Sequence, residues 1–212
     1  MLRIFLCLAC FTVNAMDVSS ILKKYSTQIP PNTKQLILVK AINTPDAIVY
    51  TLQRNESTWV QILPIISANV GSRGISYNKI EGDDKTPAGL FPLGTAFGNE
   101  SMRLKVNYLQ ITAIDKFIDD PDDPKYNQWV HGATNANSYE NMLRDDGIYK
   151  YGIVIKYNMN PTLKGRGSAV FMHIWYGYNI GSIGCITVSE ENMLKILQWL
   201  DSSFNPYILI TN

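Results

Sequence analysis

Histidine, cysteine and metal-binding motifs are scarce in this sequence. Its 212 residues include 2 histidines, His131 and His173, and 3 cysteines. No His-x-x-x-His, Cys-x-x-Cys or EF-hand spacing occurs, which argues against a metallopeptidase, and no phosphate-binding loop is present. The acidic pair Asp83 and Asp84 lies in a segment punctuated by glycine and proline, which favours a solvated turn. We therefore expect no metal site.

An excess of one charge and long apolar runs are also missing. The formal net charge is +1 at pH 7, so no basic field favours nucleic acid as a partner. No segment reaches about 18 uninterrupted apolar residues, so we expect no integral membrane segment once a leader is removed. Hydrophobic residues make up 46% of the chain and charged residues 17%, and the length suits one domain with a sizeable core.

The first 15 residues have the pattern of a secretory signal. One positive residue precedes an apolar run at 4–13, and small residues end at Ala15 as in a cleavage site. A lipoprotein anchored at Cys10 is the alternative, although the residues before it are a poor lipobox. We expect removal of residues 1–15, a single domain over 16–212, and export to the periplasm or cell envelope.

Cleavage at Ala15 removes Cys7 and Cys10 and leaves Cys185 as the cysteine of the mature protein. Cysteines of exported proteins normally form disulfides in oxidising compartments, so an unpaired thiol in an exported protein calls for an explanation. We expect one free thiol and no intramolecular disulfide. A nucleophilic role, simple burial and an intermolecular disulfide are the three explanations.

Local patterns predict a mainly β domain. A short helix is predicted from Val18 to Tyr25, and a final helix is predicted after Ser189, a good N-cap. Its buried stripe is predicted to contain Met193, Leu194, Ile196, Leu197 and Leu200. Strands are predicted at 35–40, 47–53, 58–66, 106–113, 151–157 and 207–211, the second and third forming a hairpin. Residues 114–132 are predicted to form a long acidic loop broken by prolines.

The stretch 165–188 carries the residues best suited to chemistry. Alternation puts Val170, Met172 and Ile174 on one face of a strand and Phe171, His173 and Trp175 on the other. A glycine-containing loop follows, and it allows Cys185 to return beside His173.

An imidazole beside Cys185 can activate its thiol as a nucleophile. We expect His173 to take the thiol proton and lower the pKa of Cys185, with the backbone N–H groups of Gly184 and Cys185 holding an oxyanion. A buried, inert cysteine near a satisfied core histidine is the competing interpretation.

Two ordered motifs resemble the L,D-transpeptidase catalytic domain of the YkuD type. His173 followed by Ser182, Gly184, Cys185 and a hydrophobic residue is similar to the active-site signature of that family. The upstream segment 82–94 is similar to a second family segment through Gly82, Thr86, Pro87, Gly89 and Phe91. The sequence departs from the signature at Ile183, where a histidine is expected, at Thr187, where arginine or asparagine is expected, and in its shorter spacer.

The resemblance implies a mainly β sandwich or barrel with a few flanking helices, acting on peptidoglycan stem peptides. Cys185 would attack the L,D amide of a tetrapeptide and pass the acyl group to a diaminopimelate amine, in cell-wall cross-linking, remodelling and control of cell shape. A backbone carbonyl such as that of Ile174 would orient His173, and Ser182 and Gly184 would support the oxyanion loop. No metal or organic cofactor is implied.

Substrate contacts and alternatives stay open at this point. Arg166 is a candidate for a substrate carboxylate, and Tyr126, Trp129 and His131 are candidates for lining a cleft. One alternative function is an L,D-carboxypeptidase or amidase that hydrolyses the same bond. The other is a cell-wall-binding protein with a decayed site. The sequence leaves the oligomeric state open.

Overall fold

The computed structural model describes residues 17–212. The predicted leader at 1–15, with Cys7 and Cys10, lies outside the described residues, so its removal and the single-domain boundary at residue 16 stay predictions. The first compact unit, described from residue 17 to 32, contains helix α1, which is helical over 17–24 and continues into turns. The predicted helix near Val18 is thereby confirmed.

The second compact unit, residues 33–212, is mainly β, as predicted. Its strands are β1 (Gln35–Ala41), β2 (Asp46–Asn55), β3 (Thr58–Gln61), β4 (Ile66–Asn69), β5 (Ile75–Ser76), β6 (Thr86–Pro87), β7 (Gly89–Gly98), β8 (Tyr108–Gln110), β9 (Asp115–Ile118), β10 (Trp129–His131), β11 (Tyr139–Asn141), β12 (Tyr151–Ile155), β13 (Phe171–Ile174), β14 (Ile186–Val188) and β15 (Tyr207–Thr211). Helix α2 covers Glu190–Trp199, and a 3₁₀ helix covers Ser202–Phe204. Among the described residues, no helix has the length and apolar character needed to cross a bilayer.

The main sheet closes on itself into a barrel-like ring. Its strands follow the order β1-β15-β7-β12-β13-β14-β4-β2, and the antiparallel pairing of β2 with β1 completes the circle. Strand β3 extends β2 as the second arm of the predicted hairpin, and β8 pairs with β7. Closure satisfies main-chain hydrogen bonds that an open sheet would leave at its edges.

Strands β13 and β14 position the central stretch as parallel neighbours, with Met172 opposite Ile186 and His173 opposite Thr187. Their faces alternate as predicted. One face belongs to the aliphatic core, where it meets helix α2; that core includes Val170, Met172, Ile174, Ile186, Val188, Met193, Ile196, Leu197 and Leu200. The stripe of α2 is therefore confirmed, with Leu194 only half-buried. The opposite face packs Phe171 and Cys185 among aromatic side chains.

Three predicted elements differ from the structure. The strand predicted at 58–66 is two strands, because Pro64 cannot donate to a ladder and separates β3 from β4. The strand predicted at 106–113 keeps only three residues, in β8. The predicted loop at 114–132 instead contains β9 and β10, which form a three-stranded sheet with β11. Phe117 and Ile118 of β9 are fully buried, and this burial outweighs the acidic composition of the segment.

Candidate active site

The chain approaches Cys185 through a tightly packed turn. Gly184 has a φ of 146°, and a Cβ built on it would lie 3.1 Å from the carbonyl oxygen of Lys85. A side chain at this position would therefore be strained in backbone and crowded in space. The carbonyl of Cys185 accepts hydrogen bonds from the hydroxyls of Ser182, at 2.6 Å, and Thr86, at 3.3 Å. These contacts fix the peptide that carries the thiol.

The thiol of Cys185 is buried, with 6% of the residue exposed. It donates to the carbonyl of Ala169 at 3.4 Å and accepts from the backbone N–H of Phe171 at 3.3 Å. Burial raises the pKa of Cys185 to about 12, and the negative charge of Glu140 acts in the same direction. The expectation that the site lowers this pKa is therefore wrong, because desolvation of the thiolate outweighs the N–H donor.

The imidazole of His173 is held in one tautomer. Its Nδ1 lies 2.8 Å from the carbonyl oxygen of Ile174, which is the partner predicted from the sequence. Because a carbonyl can only accept, Nδ1 carries the proton and Nε2 is left as the acceptor in the neutral ring. Burial lowers the pKa of His173 to about 4, so the ring is neutral near pH 7. The edge-to-face ring of Tyr149 packs against it, with the centroids 5.0 Å apart.

The resting site is thus a neutral thiol beside a neutral imidazole. A preformed thiolate–imidazolium pair would place two charges where the structure supplies little solvent to stabilise them. In a site of this kind, a thiol can act as a nucleophile when its proton passes to Nε2 during the attack, as in general-base catalysis. The neutral state of both groups could not be predicted from the sequence, because the pKa of Cys185 and the pKa of His173 depend on burial by segments that are distant in the chain.

One of the two expected oxyanion donors already has a hydrogen-bond partner. The N–H of Gly184 donates to Oγ of Ser182 at 3.0 Å, so this group is already engaged. Ser182 joins the N–H of Gly184 to the carbonyl of Cys185 and holds the turn between them. The backbone N–H of Cys185 remains the candidate oxyanion donor, and Ser182 and Gly184 act here as supports of the loop.

Two cavities open at Cys185. The larger, of about 270 Å³, is lined by Cys185, His173, Thr187, Arg144 and several aliphatic and aromatic side chains, and we call it the histidine cavity. The smaller, of about 70 Å³, is lined by Cys185, Glu81, Asp119 and Glu140 among others, and we call it the acidic cavity. Cys185 and Glu140 line both. A substrate can therefore extend from the thiol in two directions.

The acidic cavity contains three carboxyl groups that no sequence motif indicated. Glu81 accepts hydrogen bonds from the hydroxyls of Tyr126 and Ser168. Burial raises the pKa of Asp119 and of Glu140. Lys79, which also lines this cavity, is paired with Asp83 at 2.7 Å. The cavity consequently has an acidic character beside Cys185.

A charged network stands on the wall of the histidine cavity. The guanidinium of Arg144 donates to Asp146 at 2.6 Å and to Glu140 at 3.3 Å. The hydroxyl of Tyr149 donates to Glu140 at 3.4 Å, and that of Tyr176 donates to Asp146 at 2.6 Å. Arg144 is thereby held in place between two carboxylates.

The four predicted substrate contacts lie outside the linings of these two cavities. Tyr126 is buried and supports Glu81 and the N–H of Gly167. Trp129 and His131 both contact the carboxylate of Asp115, at 2.9 and 3.0 Å. Arg166 donates to the side chain of Asn78 at 2.6 Å. The structure brings together Cys185 and His173 but assigns these four side chains other partners, and their contact with substrate stays a prediction.

Comparison with known families agrees with this geometry. Residues 39–208 match the family model of the L,D-transpeptidase catalytic domain, YkuD. Neither the curated proteins nor the solved structures give a significant match. The matched range covers most of the chain, including both motifs and both cavities, and supports an activity of the L,D-transpeptidase type on peptidoglycan at the level of the family. The chain therefore belongs to the L,D-transpeptidase catalytic domain family, YkuD.

Proposed function

We propose that this protein is an exported cysteine acyltransferase that cross-links or remodels peptidoglycan through L,D-transpeptidation. The observation that carries the proposal is the shared opening of Cys185 and His173 into one cavity, with the imidazole tautomer fixed by the carbonyl of Ile174. A buried thiol that acts as a nucleophile needs a base that can accept its proton, and a neutral imidazole with an unprotonated Nε2 is such a base. Catalysis by these two residues forms part of the proposal.

Acylation begins when a stem tetrapeptide places the carbonyl of its L,D amide over Sγ of Cys185. The sulfur attacks the carbonyl carbon while Nε2 of His173 takes the thiol proton. The backbone N–H of Cys185 donates to the developing oxyanion. Collapse of the tetrahedral intermediate breaks the C–N bond, and His173 returns the proton to the departing amine of the terminal D-residue. The product is a thioester on Cys185.

In deacylation a second nucleophile attacks the thioester, and the sulfur of Cys185 becomes the leaving group. The side-chain amine of diaminopimelate on another stem peptide attacks the thioester carbon and gives a proton to His173. The C–S bond breaks, the proton passes to sulfur, and an amide joins the two stems. If water enters instead, the thioester is hydrolysed to a tripeptide, which is the carboxypeptidase alternative.

The departures from the family signature leave this chemistry in place. Ile183, which stands where the signature has a histidine, is 72% exposed and lies on the rim of both cavities. The base of the proposed mechanism is His173, whose contacts do not depend on position 183. This argument supports an active enzyme over a decayed wall-binding protein.

The test uses disaccharide tetrapeptides containing diaminopimelate, with products followed by mass spectrometry. Transpeptidation is expected to give a cross-linked dimer that lacks one terminal D-residue, with some tripeptide from slow hydrolysis. Cys185→Ala, which removes the nucleophile, is expected to leave the substrate unchanged. Tripeptide alone from the wild-type protein would identify a carboxypeptidase, and unchanged tetrapeptide would reject both enzymatic functions.

Export is tested separately by the intact mass of the protein recovered from the cell envelope. Removal of the leader predicts a chain that begins at residue 16 and carries one free thiol under non-reducing conditions. Retention of residues 1–15, or a disulfide between Cys185 and another cysteine, would contradict the proposed route.

A further inference from the structure

Thr187 presents an unused hydroxyl beside the catalytic pair. It is 3% exposed, and its Oγ has no hydrogen-bond partner among the described residues. It lies opposite His173 in the β13–β14 ladder and lines the histidine cavity. It also follows Cys185 by two positions, which places both side chains on one face of the chain.

A buried hydroxyl without a partner destabilises a folded protein, whereas valine would fill the same branched shape without that penalty. The nearby hydroxyls of Ser182 and Thr86 are both fully engaged with the main chain. Thr187 differs from them because it lines the histidine cavity while its buried hydroxyl has no partner among the described residues. A group that binds in that cavity can supply the missing partner.

The proton route of the proposed function identifies the part of the substrate that occupies the histidine cavity. His173 lines this cavity, and the residues that line the acidic cavity do not include it. Because His173 returns a proton to the departing amine, the residue that carries this amine must lie on the histidine side of Cys185. In a stem tetrapeptide that residue is the terminal D-residue, whose α-carboxylate is one carbon from the amine.

The dimensions of the cavity and the donors on its wall suit a carboxylate at this place. Arg144 stands on that wall, where it is paired with Asp146 and Glu140. Glu140, the acidic group among the lining residues, also accepts a hydrogen bond from Tyr149, and burial raises its pKa, which favours the uncharged form. Residues two apart in a strand are separated by about 6–7 Å, which sets the distance from Cys185 to Thr187 along the chain. The terminal carboxylate carbon lies roughly 4 Å beyond the attacked carbon, so a D-residue on the histidine side can bring its oxygens within reach of a side chain at position 187.

We propose that Thr187 is a specificity-determining residue whose hydroxyl donates a hydrogen bond to the α-carboxylate of the departing D-residue. The inference rests on the proposed transpeptidase function, since that function places the departing residue beside His173. It explains why this hydroxyl is buried without a partner in the free protein. It also predicts a preference for stems that end in a free carboxylate over stems that end in an amide.

The test combines two variants with two substrates. Thr187→Val removes the hydroxyl and keeps the branched shape, whereas Thr187→Ser keeps the hydroxyl. The substrates are the disaccharide tetrapeptide with a free terminal carboxylate and the same compound with a terminal carboxamide. For Thr187→Val we expect kcat/KM to fall about 10- to 100-fold on the free acid, the range for a hydrogen bond to a charged group, and about 3-fold or less on the amide. Thr187→Ser is expected to stay within about 3-fold of the wild type on both substrates.

Measurements of stability distinguish an effect of the Thr187 variants on folding from an effect on catalysis. The melting temperature of Thr187→Val is expected to equal or exceed that of the wild type, because the variant loses an unpartnered polar group. If this variant does not fold, Thr187→Ala replaces it in the same comparison. Unchanged kinetics would overturn the inference, and equal losses on both substrates would overturn the assignment to the carboxylate. Failure of the wild-type protein to turn over either substrate would reject the proposed function itself, and with it the inference.

Discussion

The hydroxyl of Thr86 donates a hydrogen bond to the main-chain carbonyl of Cys185 across 3.3 Å, although the two residues are 99 positions apart. The hydroxyl oxygen of Thr86 also accepts a hydrogen bond from the backbone N–H of Gly71 at 2.8 Å. Thr86 is fully buried, so both contacts are shielded from water. This relationship gives a physical reason for the two sequence motifs to occur together, since the upstream one supports the peptide of Cys185.

Replacing Thr86 tests that support. Thr86→Val leaves the buried N–H of Gly71 and the carbonyl of Cys185 without this hydroxyl, and we expect it to lower the free energy of unfolding by about 1–3 kcal/mol. We also expect slower acylation, because the peptide that carries the thiol is less constrained. Urea unfolding and the rate of thioester formation measure the two effects. Thr86→Ser keeps the hydroxyl and is the matched control; equal behaviour of the two variants would show that the hydrogen bond is unimportant.

The elements predicted well from the sequence are those whose signal lies within a few consecutive residues. Helix α2 has its N-cap Ser189 and its apolar stripe in one segment, and the hydroxyl of Ser189 accepts from the N–H of Asn192 as such a cap should. The alternation of β13 likewise identified which side chains accompany His173. The nucleophilic role of Cys185 was predicted from its motif and stays a prediction, whereas its position near His173 follows from the parallel pairing of β13 with β14.

The remaining parts of the site depend on contacts between distant segments. Glu81, Asp119 and Glu140 come from separate parts of the chain and meet only around the acidic cavity. None stands in a local pattern that distinguishes it from a surface carboxylate. The directions in which the pKa values of Cys185 and His173 are shifted could not be predicted from the sequence either. Desolvation of these groups is set by the packing of the whole domain.

The raised pKa of Cys185 predicts slow alkylation of the native thiol. Iodoacetamide reacts with the thiolate, so modification of Cys185 at pH 7 should be much slower in the native protein than in urea, and should keep rising above pH 9. Glu140→Gln removes a negative charge that raises this pKa and should accelerate the reaction at a given pH. Mass spectrometry of the peptide that contains Cys185 measures both rates. Fast native alkylation below pH 7 would contradict the neutral resting pair.

Burial of a neutral His173 predicts that the protein loses stability on mild acidification. Its pKa is about 4 in the folded protein, against the ordinary value of 6.5, so between these values the unfolded chain binds a proton that the folded protein does not. Stability therefore rises with pH through this window and falls as pH is lowered from 6.5 towards 4. At about 1.4 kcal/mol for each pH unit, the contribution of His173 to this loss is on the order of 3 kcal/mol.

His173→Asn isolates that contribution. Asparagine can keep a donor near the carbonyl of Ile174 but does not titrate, so the variant should lose less stability than the wild type between pH 7 and pH 4. The carboxyl groups that titrate in this range are common to both proteins, and their effects largely cancel in the difference between the two pH profiles. Urea unfolding at several pH values measures each profile, and the slope is compared because the substitution also changes packing at every pH. Parallel profiles for the two proteins would mean that the imidazole is not buried in its neutral form, which would remove the basis for concerted proton transfer from Cys185.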